Sequence, residues 1–287
     1  MDISNEQMTR LRAVELDILK QFIQVCSQLH IEYFAVQGTL LGAVKYHGFI
    51  PWDDDIDIGM MRTDYDIFLE KGQTLFPEGY FVQSHWSDPM YPHGYAKVRR
   101  NNTAFVETSV KNLPINHGIF IDIFPFDYYP DNLFKRIGFE WKKLLLRYRV
   151  RQCLYDPEIK ARTFRNFPKQ LLLRFSSMLY PSLKGALEKQ CLLYGSIDHG
   201  KYLINNGSPW GRKECVLSDW FSNLVTVEFE GMKLKAPYRY HAYLSKTYGD
   251  YMNTLPSPDK RVSHHYISYL DFKNSYKIRT KTSKGKQ

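Results

Sequence analysis

The stretch Gly48-Phe49-Ile50-Pro51-Trp52-Asp53-Asp54-Asp55-Ile56-Asp57-Ile58-Gly59-Met60 sets four carboxylates inside an otherwise apolar run. From Asp55 onward polar and apolar residues alternate, which is the period of a half-buried strand. On such a strand Asp55 and Asp57 leave one face, while Ile56 and Ile58 anchor the other in the core. Two carboxylates held that close repel each other and resist joint ionisation unless a cation lies between them. Mg2+ suits the position, with Mn2+ as its substitute, because it takes hard oxygen ligands and spans protein carboxylates and substrate phosphates. A solvated turn is the plainer reading of an acidic run, but it does not explain the alternation. Asp53 and Asp54, ahead of it, are expected to shape the turn.

A further aspartate stands in similar company at Phe120-Ile121-Asp122-Ile123-Phe124. Burying a lone carboxylate among large apolar residues is costly unless it is paired or metal-bound. If this strand lies beside the first, Asp122 completes a three-carboxylate cluster. Upstream, Leu11, Val14, Ile18, Phe22, Val25 and Leu29 recur at helical spacing over residues 5–30, and Tyr33 to Val36 reads as a short buried strand ended by Gly38. Thr39 is placed to cap a helix that Pro51 stops. Gly38-Thr39 between strand and helix suits a phosphate, since glycine admits close backbone approach and a helix start offers free N–H groups; a simple turn and cap is the bland alternative.

Downstream, Thr63 and Asp66 resemble a capping box opening a helix from Asp64 to Leu75. Tyr80–Ser84, Tyr95–Arg99, Thr103–Glu107 and Gly118–Phe124 are strand candidates. Lys97 and Arg99 would share one strand face and neutralise phosphate charge, unless that strand is a solvated edge. Lys260-Arg261 and His265-Tyr266 read as site or surface alike. Val225 to Phe229, followed by Gly231, looks like half of a hairpin. The order of elements predicts an α+β (mixed α/β) fold, a mixed sheet flanked by helices. Residues 1–130 are read as the catalytic core, 131–272 as a helix-rich region completing it, and 273–287 as a basic, disordered tail.

The net charge of +9 is unevenly spread. Residues 131–174 hold twelve Lys/Arg against four Asp/Glu, and the tail adds six basic residues with no acidic one, so the remainder is net acidic. An anionic partner is implied: nucleic acid, phospholipid headgroups or a glycan. No nucleic-acid-binding motif accompanies the charge, which argues against the first. Cys26, Cys153, Cys191 and Cys215 lie far apart without a Cys-x-x-Cys pair, as reduced thiols do. With no signal pattern at the N-terminus and no apolar run of about 18–20 residues, the expected location is the cytoplasm, peripheral at the inner face of the membrane.

Gly38-Thr39-Leu40-Leu41-Gly42-Ala43-Val44, followed by Gly48 to Ile58, resembles the LicD family of phosphocholine transferases, relatives of the fukutin group in the nucleotidyltransferase-fold superfamily. Ala96-Lys97-Val98-Arg99 with Asn102-Thr103, Gly118 to Pro125, and Tyr248-Gly249-Asp250-Tyr251-Met252 look like later segments of that family, so the likeness spans roughly residues 5–270. The resemblance implies a nucleotidyltransferase-like sheet and a CDP-linked donor, typically CDP-choline. Its phosphocholine would pass to a sugar hydroxyl of a teichoic acid precursor, capsule repeat or other glycan, lipid-linked ones included, with CMP as the other product. It maps the metal ligands to Asp55, Asp57 and Asp122, and the phosphate-holding step to Gly38 and Thr39, with Thr39 where Ser is commoner. Asp122 is the expected proton acceptor, and Lys97 and Arg99 would hold the leaving phosphate. A choline headgroup calls for an aromatic cage, for which Trp86, Tyr91, Tyr95 and Trp210 are candidates. Other CDP-linked or nucleotidyl donors, an Asp-x-Asp glycosyltransferase and a non-enzymatic basic adaptor are the rival readings.

Overall fold

Ser4 starts the first helix, α1 (Asn5–Leu29), with a reciprocal cap: its hydroxyl accepts the Gln7 N–H while the Gln7 side chain accepts the Ser4 N–H. His30, in the left-handed region, ends it. In this computed structural model, which describes residues 3–154, 167–208, 211–254 and 266–278, the stripe Leu11, Ile18, Phe22 and Val25 of α1 packs into the main core under a mixed sheet. The fold is α+β, as the order of elements predicts.

After β1 (Phe34–Ala35), α2 runs from Gln37 to Tyr46, three residues earlier than the Thr39 cap implies. Val36 is its N-cap and makes no side-chain hydrogen bond; Thr39 lies inside the first turn. The helix ends at His47, in the left-handed conformation, and not at Pro51. β2 covers Asp57–Met61, so Asp55 precedes the strand, and the strand is buried on both faces rather than one. α3 (Arg62–Lys71) also starts earlier than the proposed capping box, with Met61 as N-cap. Arg62 anchors that start through an ion pair of 2.6 Å with Asp127 on the neighbouring strand.

Next come β3 (Tyr80–Gln83), β4 (Ala96–Arg100), β5 (Ala104–Glu107) and the long β6 (Ile119–Tyr129). β6 is the spine of the sheet. It pairs with β2 in parallel on one side and with β4 in antiparallel on the other, giving the order β1-β2-β6-β4-β3. Beyond Phe124 the strand continues through Pro125, a residue that lacks a ladder donor. Pro125 is tolerated because it falls between two partners: β4 pairing stops at Ile123, and pairing to β7 (Tyr202–Asn205) begins at Phe126.

Between β6 and β7 lie α4 (Leu133–Leu154), α5 (Phe167–Leu179) and α6 (Leu183–Tyr194). α4 packs on both other helices, with a separate small core around Leu146, Val150, Ala186 and Leu187. β8 (Cys215–Leu217) extends the sheet from β7. β9 (Leu224–Phe229) and β10 (Met232–Pro237) form the expected hairpin, turning at Glu230 and Gly231, both at positive φ. α7 (Tyr240–Tyr248) packs on α2, and β11 (Ile267–Asp271) pairs with β5. Cys26, Cys191 and Cys215 are free thiols. Of the basic tail, Tyr276 stacks edge-on against His117, and residues 279–287 lie outside the described range. Among the described residues no helix is long and apolar enough to cross a membrane.

Candidate active site

The register of the sheet creates the site. Asp57, the first residue of β2, is the direct partner of Asp122 on β6, and Asp122 is in turn the partner of Lys97 on β4. One rung of three strands therefore lines up two carboxylates and an ammonium group. Asp55, just ahead of β2, joins them: single carboxylate oxygens of Asp55, Asp57 and Asp122 lie within 4.8 Å of one another. Asp57 and Asp122 are buried and Asp55 is partly so. Burial, and then the charges of Asp55 and Asp122, push the Asp57 carboxyl well above the usual carboxylate range. The donors are all hard oxygens, a set matched to Mg2+ or Mn2+ and not to a soft metal.

Asp53 and Asp54 are buried as well, which excludes the solvated turn. With Asp55 they form a second triplet of carboxylate oxygens within 4.8 Å. Arg12 on α1 braces this turn by donating to the carbonyls of Ile50, Pro51 and Asp53. Asp53 reaches back to α2, where a Cβ on Gly38 would stand only 2.4 Å from its Oδ2. Gly38 is thus required so that the acidic turn can lie against the start of α2. Thr39 Oγ1 accepts the Asp57 N–H at 2.7 Å, so the expected capping hydroxyl instead fixes the first residue of β2.

Lys97 and Arg99 share a strand face, but β4 is an inner strand and both side chains are buried, so the solvated-edge reading fails. Lys97 Nζ is 2.9 Å from Asp122 Oδ1 and 3.5 Å from Glu107 Oε2, with the Phe120 ring beneath it. Arg99 points along the same ring but donates to Gln83 and to the Gly118 carbonyl. The fold brings together Asp55, Asp57, Asp122, Gly38, Thr39 and Lys97, and it turns Arg99 toward Gln83. Of the aromatic candidates, Tyr91 is fully buried, Tyr95 stacks on Phe124 with ring centroids 4.4 Å apart, Trp86 is exposed, and Trp210 lies outside the described residues, as do Lys260, Arg261 and His265.

Glu15, Glu214, Tyr243 and Tyr248 also belong to this neighbourhood. Glu15 on α1 is buried, and its carboxyl is pushed well up by burial first and then by Asp55, Asp54 and Asp53. Its position four residues after Leu11 and three before Ile18 places a charge on the apolar stripe, a signal that was open to reading. Glu214 is fully buried, accepts a hydrogen bond from the Tyr243 hydroxyl, and is pushed by burial to about 7. Tyr243 Oη also accepts the N–H of Gln37, which starts α2 at a φ of +46°. Burial and then the charges of Asp57 and Glu214 raise the Tyr248 hydroxyl well above its usual range. These three come from the far end of the chain, and only tertiary packing links them to the acidic turn.

Residues 30–168 match the family model described as the LicD/FKTN/FKRP nucleotidyltransferase domain. The chain is 27% identical over 258 residues to the lipopolysaccharide cholinephosphotransferase LicD of Haemophilus influenzae, covering 89% of this chain and 95% of that protein. It is also 30% identical over 139 residues to an uncharacterised protein of Rickettsia prowazekii, covering 46% of this chain and 48% of that one.

Proposed function

We propose that this chain, a member of the LicD family and a transferase by that membership, moves phosphocholine from CDP-choline to a sugar hydroxyl of a lipopolysaccharide or related surface-glycan precursor and releases CMP. The observation that carries the reading is the in-register Asp57–Asp122 pair with Asp55 beside it, in a chain that covers 95% of a cholinephosphotransferase.

Asp55, Asp57 and Asp122 would hold Mg2+, or Mn2+ in its place. When bound, the ion supplies Lewis-acid withdrawal of charge from the donor diphosphate. The start of α2 at Gly38 and Thr39 faces the donor phosphates with backbone N–H groups. Lys97 sits beside Asp122 and sets its ammonium charge against that carboxylate. The acceptor hydroxyl oxygen attacks the choline-bearing phosphorus, its proton goes to Asp122, and the bond from that phosphorus to the CMP oxygen breaks. Arg99 is retained as a candidate for the leaving phosphate, although reaching it requires exchange of its present hydrogen bonds.

The test is product analysis. Purified protein with Mg2+, CDP-choline and a lipopolysaccharide oligosaccharide is expected to release CMP and to add the mass of phosphocholine to the oligosaccharide. Activity only with a CDP-linked donor carrying another headgroup would keep the chemistry and replace the substrate. Release of CDP from a nucleotide sugar would replace the reaction with glycosyl transfer.

A further inference from the structure

Two helices that follow the catalytic strands turn apolar stripes toward solvent. Along α4, Phe134, Ile137 and Trp141 follow at steps of three and four and so share one face. They are 82%, 49% and 56% exposed. Phe139, Leu146 and Val150 of the same helix are buried, so α4 has two apolar faces and the fold covers one of them. α5 repeats the arrangement. Leu171, Phe175 and Met178 are 62%, 48% and 70% exposed, while Leu173 and Ser176 are buried. Single exposed apolar residues are ordinary on a protein surface, but aligned stripes on two helices that pack together are not.

The residues flanking these stripes are basic. α4 carries seven Lys/Arg and one Glu, and α5 carries two Lys/Arg and no acidic residue. Lys135, Lys142 and Arg174 are exposed next to the apolar positions. A helix with an apolar stripe bordered by cations has the composition of one that lies in a membrane interface, with its rings among the acyl–headgroup boundary and its cations on anionic lipids.

We propose that the exposed faces of α4 and α5 dock this protein on an anionic phospholipid surface. The contact lies in the plane of the interface, because each stripe occupies one face of its helix. A second copy of the chain is a poorer occupant, since it would bring the same positive charge to the contact while anionic lipid brings the opposite sign. None of the stripe residues belongs to the carboxylate rung, and failure of the transfer reaction proposed above would leave the docking surface standing.

The experiment is co-sedimentation of the full chain with vesicles of phosphatidylcholine alone and of phosphatidylcholine mixed with phosphatidylglycerol. The comparison protein is the triple variant Phe134→Ser, Trp141→Ser, Phe175→Ser, with circular dichroism and gel filtration run on both. Wild type is expected to bind the anionic vesicles, and the variant to bind them at least about tenfold more weakly with its helix content intact. Brominated lipid is expected to quench tryptophan emission in wild type and to quench it less in Trp141→Phe. Equal binding by wild type and the folded triple variant would overturn the proposal, as would absence of wild-type binding. So would a wild-type dimer that the triple variant converts to monomer, because a second copy would then be the occupant.

Discussion

Asp57 and Asp122 face one another in register across the parallel pair of β2 and β6, so that two buried carboxylates stand side by side on one face of the sheet. In a parallel pair the neighbour's side chain projects alongside rather than away. Mutual repulsion and lost hydration both act on this pair, and Asp55 adds a third charge. A divalent cation held between them, as proposed above, would relieve it.

Replacing either member of the pair by asparagine keeps the shape and removes one charge. Asp57→Asn and Asp122→Asn are each expected to lower kcat by at least about a hundredfold while leaving the circular dichroism spectrum unchanged. Wild type should also gain melting temperature when Mg2+ is added, and both variants should lose most of that gain. Turnover at the wild-type rate in either variant would remove the pair from the reaction.

Thr39 acts through the strand and not through a cap. Its hydroxyl is the acceptor for the buried Asp57 N–H, and Thr39→Val keeps the volume while deleting that acceptor. Thermal and urea unfolding are expected to show a loss of about 1–3 kcal/mol, the cost of an unsatisfied buried donor. Thr39→Ser, which restores an oxygen, should recover most of it. If serine and valine behave alike, the loss belongs to packing and the hydrogen bond contributes nothing.

Lys97 has two carboxylates to answer for, Asp122 at 2.9 Å and Glu107 at 3.5 Å. Lys97→Met removes the ammonium beside the buried Asp122 and the part-buried Glu107, which is expected to destabilise the metal-free protein by about 3 kcal/mol. Added Mg2+ supplies replacement charge at Asp122, so the deficit should shrink on titration with the ion. A deficit that Mg2+ does not change would mean that Lys97 supports Glu107 and the sheet only.

Local pattern made the two aspartate strands legible. Asp55 and Asp57 alternate with Ile56 and Ile58, and Asp122 interrupts a wholly apolar run, so each needed a partner whatever the topology. The pairing of β2 with β6 came from no local signal; it rests on a parallel register that only the packed sheet fixes. Both α2 and α3 start ahead of their threonines for one reason. Thr39 and Thr63 have cap chemistry, but Gln37 and Arg62 are held by Tyr243 and Asp127 from distant segments, and those contacts outweigh a local hydroxyl. Pro125 similarly hid the second half of β6, since a proline argues against a strand unless its neighbours change at that residue. Glu214 had no readable context at all, because its surroundings are assembled from α7 and the strands before it.

That buried glutamate provides a prediction in pH. An unfolded Glu214 titrates near its ordinary value of 4.5, whereas burial holds the folded carboxyl to about 7, against the opposing hydrogen bonds from Ser208 and Tyr243. Between those limits the unfolded chain has released the proton and the folded chain still holds it. The folded state then binds more protons, so this group's contribution to stability falls as pH rises through the window and is level below it. Glu214→Gln carries no titrating proton and should flatten that part of the profile. Urea midpoints measured at the acid end of the window and again at neutrality are therefore expected to drop further in wild type than in the variant. Tyr243→Phe, which removes the hydroxyl donor to Glu214, should raise the folded value further and steepen the drop. Equal drops in wild type and Glu214→Gln would show that Glu214 is already ionised at the acid end, and that its carboxylate belongs with the charges around Asp57 as a standing anion.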